Sequence, residues 1–145
     1  MSTTTLAAAS RAIARCISRR PEVDAAYIFG SVAQGRPRPD SDIDIAVLVG
    51  RRISAARALR YRLTLTNELG AALKRSDVQL VLLNEAPPLL AQRVLSRGTL
   101  VFERSHAARV RFQIRTAHRY ADLVPAMERY IRRLKKDVRE GRIGG

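Results

Sequence analysis

The chain has 145 residues, enough for one domain with a substantial core. Its 27 Lys and Arg against 13 Asp and Glu give a formal charge of +14, which favours an anionic partner such as a nucleotide, a nucleic acid or an acidic protein surface. A single cysteine excludes an internal disulfide, and no apolar stretch suits a secretory leader or a membrane span, so a cytoplasmic setting is expected.

In chain order, Leu6, Ala9, Ile13, Cys16 and Ile17 recur at helical spacing and predict a helix that Pro21 terminates. Cys16 lies on that apolar stripe and reads as a small packed hydrophobe. The run Ala25-Ala26-Tyr27-Ile28-Phe29, closed by Gly30, predicts a buried strand. Gly35, Pro37 and Pro39 then mark a turn-rich segment, with one helical turn expected from Ser31. Ile43 to Val49 predicts a second strand, with Asp42 and Asp44 at its start. Leu59, Leu63, Thr66, Leu69 and Leu73 predict the packed face of a long helix. Val78 to Leu83 predicts a third strand opened by Asp77, Leu89 to Leu95 a short helix, and Leu100 to Phe102 a last strand.

The tail carries an apolar seam of Val110, Ile114, Ala117, Ala121, Val124, Met127, Ile131, Leu134 and Val138 at steps of three and four. Pro125 is expected to divide it into two helices.

The chemistry concentrates between the first two strands, in Gly30-Ser31-Val32-Ala33-Gln34-Gly35 and Asp40-Ser41-Asp42-Ile43-Asp44. Alternate residues of a strand face one way, so Asp42 and Asp44 project together, ~7 Å apart, close enough to bridge hard cations. Asp77 would complete a carboxylate cluster if its strand is a neighbour. Such a cluster is costly without a neutralising partner, and Mg²⁺ fits because it takes oxygen ligands and leaves positions for water and substrate phosphate. Gly30 and Ser31 offer backbone amides and a hydroxyl to phosphate oxygens, and Gly35 lets the loop turn back. Arg36 and Arg38 are candidate phosphate contacts, whereas Asp40 suits turn chemistry.

These residues resemble the signature G-S-x10-D-x-D of the nucleotidyltransferase superfamily that includes DNA polymerase β, and most closely its minimal nucleotidyltransferase branch. Gly30, Ser31, Asp42 and Asp44 match it, and the family's third carboxylate falls on Asp77. Asp77-Val78-Gln79-Leu80-Val81, Ala86-Pro87-Pro88-Leu89-Leu90 and Val101-Phe102-Glu103-Arg104 look like the same branch, while Gln34 departs from it, standing where relatives often carry a basic residue. The resemblance implies an α/β (α+β) fold, a small mixed β-sheet flanked by helices. Residues 1–105 would form the nucleotidyltransferase domain and 106–145 its C-terminal helical extension.

It further implies two Mg²⁺ ions on Asp42, Asp44 and Asp77, ATP as co-substrate held by Gly30 and Ser31, and AMP transfer to an acceptor hydroxyl that the metal on Asp77 activates, with Asp77 a candidate to take its proton. The acceptor the resemblance implies is a tyrosine of a partner HEPN ribonuclease toxin, which would make the chain an antitoxin, and the small size without an appended acceptor domain supports it. Rival functions are adenylylation of a small molecule such as an aminoglycoside, and a non-catalytic module that binds a toxin or RNA. Arg111 and His118 match the R-x6-H spacing of HEPN ribonucleases, but too little chain remains for that helical bundle.

Overall fold

A computed structural model describes residues 5–35, 42–51 and 53–141. The elements run α1 (Leu6–Ile17), β1 (Val23–Phe29), β2 (Ile43–Val49), α2 (Ala55–Leu73), β3 (Val78–Leu82), α3 (Pro88–Arg97), β4 (Thr99–Glu103) and α4 (His106–Arg139), with a 3₁₀ turn at Leu83–Glu85. The strands form one mixed sheet of order β3-β2-β1-β4, in which β1 pairs antiparallel with β2 and β4, and β2 runs parallel to β3. The expected fold class is therefore the observed one. Among the described residues no helix is long and apolar enough to cross a membrane.

Strand alternation divides the core into two layers. Ile43, Ile45, Val47 and Val49 pack with Ile13 and Ile17 of α1 and Leu65 and Leu69 of α2. Ala46 and Leu48 face the other way, with Ala91 and Val94 of α3 and Phe112 of α4. Each fully buried Ile or Leu here contributes roughly 1.5–3 kcal/mol of transfer free energy.

Polar side chains tie the far end of the sheet. The Asn84 carboxamide accepts from Val49 N (2.8 Å) and donates to Val49 O (2.7 Å), continuing the ladder where β3 has already turned away. Arg104 donates to Ser18 O and Val23 O, joining the end of α1 to β1 and β4. Arg20 reaches Glu68 and Glu22, and Glu22 accepts from the Tyr61 hydroxyl at 2.6 Å.

Two expectations are corrected. Helix α2 buries Ala58, Leu65 and Leu69, while Leu59 and Leu63 are 53% and 59% exposed. The inward stripe is completed by Ala58 and the part-buried Tyr61, which a search for leucines overlooks. Pro125 lies inside one continuous helix, α4, rather than between two. Its ring sits in the exposed stretch of α4, where no packing partner has to follow a change of axis.

Candidate active site

The end of β1 and the starts of β2 and β3 meet at one end of the sheet. Antiparallel pairing puts Phe29 opposite Asp44, so the chain leaves β1 at Gly30 directly beside that carboxylate. Gly30 has φ +79°, and a Cβ there would collide with Asp44 Oδ2. Only glycine supplies both the left-handed backbone and the clearance. Beyond it, Gln34 N donates to Gly30 O (3.2 Å) and Gly35 N to Val32 O (3.2 Å), folding Ser31–Gly35 into a tight turn pinned by the buried Val32. The helical turn expected from Ser31 is thus a pair of turn hydrogen bonds, and Gly35 ends it with φ +71°. Arg36 and Arg38, and Asp40 with them, lie outside the described residues.

Asp42 is exposed and Asp44 half-buried, and both lie at the open edge of the layer facing α3 and α4. Among the described residues neither forms a salt bridge; Asp42 Oδ2 accepts from Gln79 Nε2 at 2.9 Å. Burial, and then the neighbouring Asp42 charge, push the Asp44 carboxyl above its ordinary range. A divalent cation shared by the two would remove that repulsion, so these hard oxygen donors fit Mg²⁺.

The three-carboxylate cluster is not assembled. Asp77 opens β3 as expected, and its backbone carbonyl accepts from Ile43 N at 3.1 Å, but Arg75 grips both carboxylate oxygens, with Nε 2.7 Å from Oδ1. That hydrogen-bonded pair holds the Asp77 carboxyl below its ordinary range. Among the described residues no group of three His, Cys, Asp or Glu side chains is placed to hold a metal. Sequence reasoning noticed Asp77, passed over Arg75 two residues upstream, and gave no role to Gln79, two residues downstream on the same strand face. The signal available was the alternation of β3, which points positions 77 and 79 the same way.

His106 stays away from this end, at the exposed start of α4 beside Glu103 and Arg109.

Comparison with known proteins agrees with this geometry. The polymerase beta nucleotidyltransferase family model matches residues 11–107, more than half of the chain. The protein adenylyltransferase MntA of Shewanella oneidensis is 40% identical over 78 residues, which cover 54% of this chain. That match spans 52% of MntA, about half the relative's length. A toxin–antitoxin crystal structure with AMP-PNP superposes with a TM-score of 0.72 at 28% identity, covering 87% of this chain and 98% of that one. A tri-AMPylated HEPN toxin of Shewanella oneidensis in complex with its MNT antitoxin gives 0.67 at 26% identity, covering 88% and 96%. With the family match spanning α1 to the start of α4 and the motif assembled at one end of the sheet, the chain belongs to the polymerase β-type nucleotidyltransferase family.

Proposed function

We propose that the protein transfers AMP from ATP to a tyrosine hydroxyl of a HEPN-type ribonuclease and so acts as its antitoxin. The observation that carries this reading is the apposition of Gly30, bare and left-handed, to the Asp42–Asp44 pair at the mouth of the sheet. It is supported by the relatives, one named a protein adenylyltransferase and others crystallised as toxin–antitoxin complexes.

In this reading the Gly30–Gly35 turn holds the triphosphate through the Ser31 hydroxyl and backbone amides, with the α-phosphate toward the aspartates. Asp42 and Asp44 hold the divalent ion or ions. Bound metal would supply charge neutralisation at the attacking and leaving oxygens. The tyrosine oxygen bonds to the α-phosphorus, the bond to the β-phosphate oxygen breaks, pyrophosphate leaves and the hydroxyl proton is lost to water. Asp77 is not assigned as the base, because Arg75 keeps it ionised and hydrogen-bonded and therefore a weak proton acceptor.

The partner would dock against α4. Past Thr116 that helix buries nothing, and Met127, Tyr130, Ile131 and Val138 are exposed beside Arg129, Arg132, Arg133, Lys135 and Lys136. An acidic, partly apolar surface complements that face.

The test is incubation with ATP, Mg²⁺ and a HEPN-type ribonuclease from the same organism, followed by intact-mass analysis. Addition of AMP to the HEPN protein, lost in Asp42→Ala, is expected. An unmodified ribonuclease inhibited equally by wild type and Asp42→Ala would replace transfer with simple binding.

A further inference from the structure

In the parallel β2–β3 ladder Asp44 is registered with Gln79, and Ala46 with Val81. Ala46 and Val81 both pack in the layer facing α3 and α4, so Gln79 emerges beside Asp44 on the face that carries the candidate centre. From there its amide donates to Asp42 Oδ2 at 2.9 Å. The position on β3 that is registered with Asp44 and hydrogen-bonded to Asp42 is thus filled by a neutral amide, while the carboxylate that opens the strand, Asp77, is turned into its pair with Arg75.

We propose that Gln79 is the positioning residue of the metal centre, filling the third place of a two-carboxylate site and orienting Asp42 through one carboxylate oxygen so that the other faces the cation. The proposal deepens the reading above and rests on Asp42 and Asp44 as the metal's holders. Its physical content is a charge count. A third carboxylate registered with Asp44 would place like charge beside two aspartates on one strand face, whereas an amide donates a hydrogen bond to Asp42 there. The metal-free centre is thereby stabilised. The cost is cation affinity, because fewer anionic ligands bind a hard divalent ion more weakly.

The experiment is Mn²⁺ titration of the full chain without nucleotide or partner, followed by electron paramagnetic resonance of free Mn²⁺, with thermal melting in chelator and in Mn²⁺. Gln79→Glu, of the same size, should bind Mn²⁺ about tenfold more tightly and melt lower than wild type in chelator but not in saturating Mn²⁺. Gln79→Leu should bind about threefold more weakly, because Asp42 loses its tether, and circular dichroism should show the fold retained. Asp77→Asn should stay within about twofold of wild type. A merely structural Gln79 would move both of its variants the same way, and that result overturns the proposal. So does Asp77→Asn weakening Mn²⁺ as much as Asp42→Asn, since the third place would then be Asp77's. If Asp42→Asn itself leaves Mn²⁺ binding intact, the functional reading falls together with this one. If Asp42→Asn weakens binding and Gln79→Glu does not tighten it, only the role of Gln79 is lost.

Discussion

The two ends of the sheet treat their acidic side chains in opposite ways. At the far end Glu22 accepts from Tyr61 and faces Arg20, and Glu103 is held by Arg109 and His106. Burial works against the Glu22 charge, but the Tyr61 hydrogen bond and the nearby arginines outweigh it, and Glu22 lies below its ordinary range. At the near end Asp44 is also partly buried, yet its charged neighbour is another aspartate and its pKa moves up. In a chain with twice as many basic as acidic residues, two adjoining aspartates form no ion pair among the described residues, which is the feature that the proposed cation site rests on.

The largest effect should come from removing that near-end charge. Asp42→Ala and Asp44→Asn should each lower AMP transfer by about a thousandfold or more, measured as partner mass shift over time. The metal-free Asp44→Asn protein should melt at the same temperature as wild type or higher at pH 7. The sign follows from the raised pKa: the native state binds a proton more readily than the unfolded chain, so the ionised group opposes folding above that pKa, and the gain from its removal fades at acid pH. A fall in melting temperature at pH 7 would mean that Asp44 is held by an interaction other than the one described.

Gly30→Ala comes next. The substitution forces a left-handed alanine and a collision with Asp44 Oδ2, so roughly 1–3 kcal/mol of stability should be lost in urea unfolding. Transfer should fall about a hundredfold as the carboxylate is pushed aside. Gly35→Ala has open space and only the backbone cost, and should lose about 1 kcal/mol.

The two ends also differ in how much of them could be read from sequence. The bounds of α1 and β2 follow from periodicity alone, and Gly30, Ser31, Asp42 and Asp44 declare themselves because their spacing and their strand context agree. The exposure of Leu59 and Leu63 did not follow, since an alanine and a tyrosine do the packing and hydrophobicity does not rank them above leucine. Asp77 was legible as a carboxylate opening a strand, but not as the partner of Arg75, because a side-chain ion pair leaves no periodic trace. Alternation puts Gln79 on the strand face of Asp77, but its place beside Asp44 needed the β2–β3 register, which only the assembled sheet defines. Asn84 and Arg104 were invisible for the same reason: each binds main chain far away in sequence.

At the far end, Glu22→Gln should leave transfer unchanged and cost about 1 kcal/mol at pH 7. Because Glu22 is below its ordinary range when folded, its contribution is present above the unfolded pKa and disappears as pH falls through the folded one. Wild type and Glu22→Gln should therefore differ in urea midpoint at pH 7 and converge in strong acid. A transfer rate that fell with Glu22→Gln would break the separation of the two ends.

The smallest effect on the isolated chain should come from α4 beyond Thr116, and it sharpens the comparison by adding a region that serves neither core nor chemistry. The last side chains of this helix to be buried are Phe112 and Thr116, and the apolar seam leaves Ile114, Met127, Ile131 and Val138 between 38% and 61% exposed. A side chain that loses little solvent contact on folding returns little free energy, so Ile131→Ser should change the unfolding midpoint by no more than about 0.5 kcal/mol. The same substitution should weaken association with the HEPN partner by tenfold or more if this face is the dock, because an apolar side chain covered at an interface is worth about as much as one covered in a core. Replacing Arg132 and Arg133 by Gln should act differently, slowing association at low salt and losing that effect near 0.5 M salt, where the Debye length drops to about 4 Å. Surface plasmon resonance across a salt series separates the two contributions as changes in dissociation and association rates. Partner binding unaltered in both variants would move the interface to the body of the domain and leave the exposed seam of α4 without this role.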